Sequence, residues 1–423
     1  MNLDLEDGMD LECICSAHSY DSKLIGCKSG LLPRRRLKVL IIASWYPNKE
    51  HPISGIFIKK YALAISKYCD VAVLYTHIGN IKNDIEISKI NNILEVILYK
   101  QVKYSKNKFI YYLRCQIAQY LGFMHFSLIG YNIIYKLFGK PDLVHCNVIL
   151  YSGLIALYLK LKYRIPYIIT EHWVGYVDGT FNKRSFFGKI LIKLIGKNAA
   201  AITTVSNSLK NAMIACGIKN KYFIIPNIVE IVETNNNLNN NHTKKYILHI
   251  SLLNDDIKNV SGIIEACRKL YTKRKDFELH IVGDGPDRGS LETLAKNYNL
   301  LDEVIFFEGM VSNNKIQEFL NKCDFFVINS NFETFSVVTA EALMCGKPVI
   351  ATKCGGPNEF VNEDCGILIE PRDNDALVKA INYMLDNYIK YDSKKIIRYA
   401  KSIFNPLHIG KSFLDIYHDA IST

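Results

Sequence analysis

Glu333 and Glu341 stand eight residues apart in Asn331-Phe332-Glu333-Thr334-Phe335-Ser336-Val337-Val338-Thr339-Ala340-Glu341, a segment that reads as a strand-to-helix turn running into a helix. Carboxylates accept hydrogen bonds from neutral, donor-rich polyols. Between the two acids, the amides of Ser336, Val337 and Val338 fall at the helix start, where free N–H groups and the positive dipole end favour phosphate. One helix start can therefore hold a diphosphate while the flanking carboxylates hold sugar hydroxyls. The spacing alone fits a helix cap and a solvated surface acid at least as well.

Three further turns carry polar or glycine residues where a strand gives way to a helix. His280-Ile281-Val282-Gly283-Asp284-Gly285-Pro286 ends a strand on Gly283 and Gly285, which let a ligand approach the backbone or simply make the turn. Ser54-Gly55-Ile56-Phe57 puts Gly55 at a helix start, facing a phosphate or an acceptor, or packed in a loop. In Thr170-Glu171-His172-Trp173 an apolar strand stops on an acid, an imidazole and an indole. Polar groups at the carboxyl end of a strand face the ligand crevice of doubly wound sheets, although a lone His172 is also compatible with a structural role.

These turns need a scaffold, and the apolar pattern supplies one. Strands over Val39–Ala43, Val71–Tyr75, Leu143–Cys146, Tyr167–Thr170, Ala201–Val205 and Tyr222–Ile225 alternate with helices near Ile56–Tyr68, Leu150–Lys162 and Ser185–Gly196. After Val232-Glu233-Thr234 an asparagine run spans Asn235–Asn241. The alternation then resumes with strands over Tyr246–Ile250, Glu278–Val282, Val304–Phe307 and Phe325–Asn329, and helices near Asn259–Lys273 and Arg288–Tyr298. Such alternation means parallel sheets covered by helices. The reading is α/β, with a leader at 1–36, a first domain at 37–230, a linker at 231–244, a second domain at 245–404 and a C-terminal helix at 405–423. With 423 residues, two domains are the expectation.

The chain is 49% apolar and 22% charged, an ordinary globular composition. Residues 1–240 hold 30 Lys and Arg against 16 Asp and Glu, and the remainder 22 against 25, so the first half is basic and the second is not. That asymmetry suits an anionic partner at the first domain. Nucleic acid is disfavoured, because the lysines are dispersed and no nucleic-acid-binding signature accompanies them. Lys103, Lys106, Lys108, Arg114, Lys136 and Lys140 flank an apolar and aromatic stretch. It fits interfacial binding to anionic lipid or a buried helix, and is too short and interrupted to span a bilayer. No secretory pattern opens the chain, and the 12 cysteines follow no disulfide spacing, so a cytoplasmic protein is expected. Cys13, Cys15, His18 and Cys27 lack a second clean ligand pair, so no metal site is assigned.

Taken in order, Ser44-Trp45-Tyr46-Pro47, Ser54-Gly55-Ile56-Phe57, Val205-Ser206, Ile225-Pro226-Asn227, Gly283-Asp284-Gly285-Pro286 and Glu333-x7-Glu341 with its Glu-Ala-Leu-x-x-Gly-x-Pro-Val tail resemble glycosyltransferase family 4 over about residues 38–400. The resemblance implies a GT-B fold of two Rossmann-like doubly wound parallel-sheet domains facing a cleft. It also implies transfer of a sugar, with retention, from a nucleotide-diphosphate sugar to a glycan or lipid-linked acceptor, with no metal or other cofactor. By position, Glu341 would hold the ribose, Glu333 the donor sugar, the amides after Phe335 (Ser336, Val337, Val338) the distal phosphate, Lys258 a phosphate, His172 the reaction centre and Gly55 the diphosphate. Where the family commonly has Gly-Arg-Leu this chain has Ser251-Leu252-Leu253, so one of two expected cations is replaced by Leu252. A sugar-nucleotide epimerase, a phosphorylase and a nucleotide-sugar-binding protein without catalysis are the rival readings of the same architecture. A nicotinamide dehydrogenase is disfavoured, since Arg288 stands where the third glycine of that fingerprint belongs.

Overall fold

The computed structural model describes residues 35–102, 121–231 and 243–422. The Cys13, Cys15, His18 and Cys27 group, the asparagine run 235–241 and the basic residues Lys103, Lys106, Lys108 and Arg114 lie outside them.

The first half is built on β1 (Lys38–Ala43), whose residues Val39 to Ala43 are all buried, as a central parallel strand covered on both faces requires. Around it stand β2 (Asp70–Gly79), β3 (Asp84–Ile90), β4 (Ile93–Gln101), β5 (Leu143–Asn147), β6 (Tyr167–Glu171), β7 (Ala201–Thr204) and β8 (Tyr222–Ile224). The sheet order is β3-β4-β2-β1-β5-β6-β7-β8, parallel throughout except for the β3–β4 hairpin. That hairpin departs from the sequence reading, which put no strand between residues 75 and 143. Its turn is Asn91-Asn92, both with positive φ, a left-handed pair of the kind that two-residue hairpins demand. The crossovers are α1 (Ile56–Ile65), α2 (Phe123–Phe138), α3 (Ser152–Tyr163), α4 (Phe186–Asn198) and α5 (Asn207–Ala215). The stripe Phe123, Ser127, Gly130, Tyr131 and Ile134 of α2 is buried, with Gly130 against Leu74 of β2 and Leu98 of β4. The apolar stretch expected as either interface or core is thus core along that stripe.

The second sheet runs β11 (Ile305–Gly309), β10 (Phe277–Val282), β9 (Lys245–Ile250), β12 (Phe325–Ile328), β13 (Val349–Thr352) and β14 (Gly366–Ile369), all parallel. It is clothed by α6 (Val260–Tyr271), α7 (Arg288–Asn297), α8 (Asn313–Lys322), α9 (Val337–Met344), α10 (Asn374–Asn387) and α11 (Ser393–Phe404). In each sheet the order reverses beside the first strand, at β1/β5 and at β9/β12. Those two places are where an open α/β sheet leaves a crevice.

The last helix, α12 (Pro406–Ser422), leaves the second half and returns to the first. Phe413 and Tyr417 are fully buried there. Phe413 meets the Tyr61 ring at 5.2 Å, and the Tyr417 hydroxyl lies 2.8 Å from His145 Nδ1. Gly410 fits against Ala64 O of α1, where a Cβ would come within 2.6 Å.

Candidate functional site

The crevice of the second sheet is assembled by hydrogen bonds between the loops that follow β9 and β12. Asn331 N donates to Ile257 O (2.7 Å), Asn331 Nδ2 to Asp256 O (2.9 Å) and Asn329 Nδ2 to Asn259 O (3.1 Å). Lys258 closes a single helical turn, Asp255–Lys258, and Asn259 takes a left-handed φ to start α6. The result sets Lys258 Nζ 2.6 Å from Glu333 Oε1, with Ser330 Oγ donating to the same oxygen at 2.8 Å. Glu333 is fixed along its backbone too, through Glu333 N to Cys354 O and Gly356 N to Glu333 O, each at 3.0 Å. Its side chain is 10% exposed and that of Lys258 20%, so a weakly hydrated charge pair faces the crevice.

Phe335 is buried between Phe360 (5.3 Å) and Phe404 (5.8 Å), so this residue offers a ligand its backbone. Ser336 follows with φ 72° and ψ 76°, a left-handed conformation that a residue with a Cβ adopts at some strain. Its hydroxyl meets Thr339 Oγ1 at 2.7 Å. From this kink α9 begins, and the amides of Val337 and Val338 fall in its first turn, where no intrahelical carbonyl is available to them. One turn further on, Glu341 is half-buried and lines a cavity of about 150 Å³ with Lys60, Glu230, Asn314 and Gln317. Burial lifts its carboxyl from 4.5 to about 6, and the charge of Lys60 opposes the lift. Lys60 comes from α1 of the first half and carried no signal in the sequence.

Gly283 and Gly285 use their missing side chains for close approach to the neighbouring loop. A Cβ on Gly283 would sit 1.9 Å from Ser251 O, and one on Gly285 2.4 Å from Leu253 O. They therefore set the position of the Ser251–Leu253 loop, where Leu252 is 62% exposed. Buried His249 braces the same loop, with Nε2 2.8 Å from Ser251 Oγ.

On the facing side, Gly55 is left-handed (φ 63°), and a Cβ there would strike Trp45 O at 2.3 Å, so only glycine lets α1 start against the turn after β1. Two residues of α1 then cage His172, with Phe57 at 4.5 Å and Tyr61 at 5.8 Å between ring centroids. Tyr61 is itself held by Pro226 O and Asn227 Oδ1, both at 3.0 Å. His172 is buried, its Nε2 has no hydrogen-bond partner, and burial drives its pKa down to about 3, so the ring is neutral. The preceding Glu171 receives the N–H groups of Ile149, His172 and Trp173 at 2.8–3.0 Å, although burial pushes its pKa up.

A second cavity, again about 150 Å³, opens at the reversal point of the first sheet, with Ser44, Trp45, Tyr151, Glu171, Trp173 and Arg184 in its wall. The Arg184 guanidinium stands over the Trp173 ring at 4.4 Å, and its Nε is buried without a partner. The two halves meet directly at the loop after β12: Ser206 Oγ donates to Thr334 O (2.7 Å), while Asn207 N and Nδ2 donate to Glu359 at 3.0 and 2.8 Å. Glu333 and Lys258 are thus in contact in the loops before α6 and α9, Glu341 lines its own cavity with Lys60 one turn along α9, His172 and Gly55 belong to the first half, and Gly283 and Gly285 act by holding the Ser251–Leu253 loop.

Two family models match the chain, Glycosyltransferase Family 4 over residues 108–233 and Glycosyl transferases group 1 over residues 230–403. An uncharacterized glycosyltransferase of Methanocaldococcus jannaschii is 30% identical over 262 residues, covering 61% of this chain and 69% of the relative. The N-acetylgalactosamine-N,N'-diacetylbacillosaminyl-diphospho-undecaprenol 4-alpha-N-acetylgalactosaminyltransferase of Campylobacter jejuni is 30% identical over 225 residues, covering 51% of this chain and 58% of the relative. Among solved structures, the sucrose-phosphate synthase of Thermosynechococcus elongatus superposes with a TM-score of 0.70 at 18% identity, over 92% of this chain and 100% of that one.

Proposed function

The chain belongs to glycosyltransferase family 4 and is an enzyme of the GT-B class; from that premise we propose that it transfers a sugar, with retention and without a metal ion, from a nucleotide-diphosphate sugar to a glycan or lipid-linked acceptor. The observation that carries the donor half of this reading is the contact of Lys258 with Glu333 beside the start of α9, with Glu341 one turn beyond. Breaking a bond between sugar and phosphate builds positive charge on the ring and negative charge on the leaving diphosphate. Stabilising that diphosphate is the main task. Lys258 and the first turn of α9 are the groups suited to it, Glu333 suits the sugar hydroxyls and Glu341 the ribose. A neutral His172 can hydrogen-bond the sugar through its unpartnered Nε2 without adding a cation beside a ring that is becoming positive.

The acceptor side is read from the second cavity. A half-buried cation stacked on an indole, with a buried and unpartnered Nε, suits an anionic group on the acceptor such as the phosphate of a lipid carrier. The Campylobacter relative is named for a diphospho-undecaprenol substrate, which agrees with that chemistry. No helix among the described residues is long and apolar enough to cross a membrane. The proposed place of work is the cytoplasmic side of the membrane, reached peripherally, in cell-surface polysaccharide or glycolipid synthesis. Thermal unfolding against a panel of nucleotide sugars tests the donor assignment, because a ligand bound by the native state raises its stability by mass action. A rise with one nucleoside diphosphate and its sugar supports the reading. No shift with any of them, at millimolar-scale donor, counts against it. Transfer that survives a chelator and leaves the anomeric configuration unchanged supports the remaining two parts.

A further inference from the structure

We propose that the outer face of α4 docks the enzyme on an anionic lipid bilayer. The inner face of this helix is already used: Ile192 and Ile195 are buried, Ile195 lies against Gly153 of α3, and Gly196 against Ile218. The outer face is also apolar. Phe186 is 72% exposed, Phe187 80%, Ile190 47% and Leu194 47%. At 3.6 residues per turn these four, with Lys193 and Lys197, fall within roughly one third of the helix circumference. A helix apolar on every side belongs in a core or against something else.

Charge identifies the partner. Between Asp178 and Glu230 the chain has no acidic residue and eight Lys and Arg, among them Lys183, Lys189, Lys193 and Lys197 in and beside α4. Among the described residues none of those four lysines pairs with an acid. Exposed phenylalanines interleaved with unneutralised lysines suit a surface whose apolar layer lies under a layer of negative headgroups. A second copy of the chain suits them less, since a two-fold interface would set lysines against lysines, and the centres of protein interfaces are depleted of lysine.

Seated this way, α4 lies at the membrane with Ile192, on its inner side, in the wall of the Arg184 cavity. The inference deepens the proposed function by bringing that cavity to the surface where a lipid-linked acceptor resides. It rests on that function for the acceptor alone.

The test is co-flotation of the full chain with vesicles of phosphatidylcholine, with and without about a third of phosphatidylglycerol, without donor or acceptor. Binding to the anionic vesicles only is expected. Phe186→Ser with Phe187→Ser should lower it at least about tenfold, and Lys193→Glu with Lys197→Glu should remove the preference for anionic lipid. All four side chains lie on the outer face, so the thermal midpoint and donor affinity should not move. A wild-type chain that stays unbound overturns the proposal. So does a phenylalanine variant that floats as the wild type does, or a solution dimer that this variant dissociates without any vesicle binding. Donor affinity is measured apart from flotation, so failure here is distinguishable from failure of the assigned reaction.

Discussion

Lys258 Nζ lies 2.6 Å from Glu333 Oε1 although 75 residues separate them, because the loops after β9 and β12 are tied together by Asn329 and Asn331. One oxygen thereby serves both Lys258 and Ser330. The proposed diphosphate cation and the proposed sugar acceptor are therefore one electrostatic unit. Lys258→Ala should weaken donor binding about tenfold or more and lower turnover further, since the developing phosphate charge is largest in the transition state. Glu333→Gln should lower kcat more than it raises KM. The double variant should lose less than the two single losses combined, as coupled neighbours do. Calorimetry and steady-state kinetics read both, and additive losses would separate the two residues.

Glu341 gives a pH dependence with a definite sign. Burial raises its carboxyl from 4.5 to about 6, so between these values the folded chain holds a proton that the unfolded chain has released. The stability contributed by Glu341 therefore decreases as pH rises through that window. In the ribose-binding role proposed for Glu341 the hydroxyls need the ionised carboxylate, so donor affinity should move the other way, falling about tenfold between pH of about 7 and about 5. Glu341→Gln should flatten both slopes. A donor affinity that keeps its slope in this variant assigns the titration elsewhere.

His172, held down to about 3 by burial between Phe57 and Tyr61, stays neutral through the working range. Its ring should show no titration between pH of about 5 and 8 by NMR. His172→Ala should reduce turnover about a hundredfold with little change in nucleotide affinity, if its proposed contact is with the sugar alone. A ring that titrates near neutrality would exclude a neutral role.

Leu252 occupies the loop that Gly283 and Gly285 press into place, and it is exposed. Leu252→Arg should therefore fit without disturbing the core and add a second cation near the proposed diphosphate site. Turnover should rise several-fold, on the order of 1 kcal/mol. An unchanged rate would mean that Lys258 and the start of α9 already suffice.

Phe413 is fully buried in the contact between α12 and α1. Phe413→Ala should cost about 3–5 kcal/mol of stability, measured by denaturant unfolding, and should loosen Tyr61 and with it the cage around His172.

The two largely parallel sheets and the turn that carries Glu333 were legible because buried strands appear as apolar runs and the turns lie where they end, as at Phe325–Ile328 before Glu333. The β3–β4 hairpin escaped notice because Asn91-Asn92 stands where Asn-Gly is the usual signal. Lys60 and Arg184 were not readable: each matters only through a partner brought close in three dimensions, Glu341 for one and Trp173 for the other. The apolar residues of α2 and α4 look alike in sequence, yet the apolar stripe of α2 is buried while Phe186 and Phe187 on α4 face solvent. A chain that carries apolar residues on every side of a helix does not state which side its own fold will cover.

Because α12 returns to the first half, the polypeptide crosses between the halves twice, once between Ile231 and Thr243 and again at Asn405-Pro406. Two tethers joining the same two bodies resist sliding and twisting apart. They leave a hinge rotation of one half against the other as the least restrained motion. The hydrogen bonds of Ser206 and Asn207 to Thr334 and Glu359 then act as a latch on that rotation, one attached directly to the loop that carries Glu333.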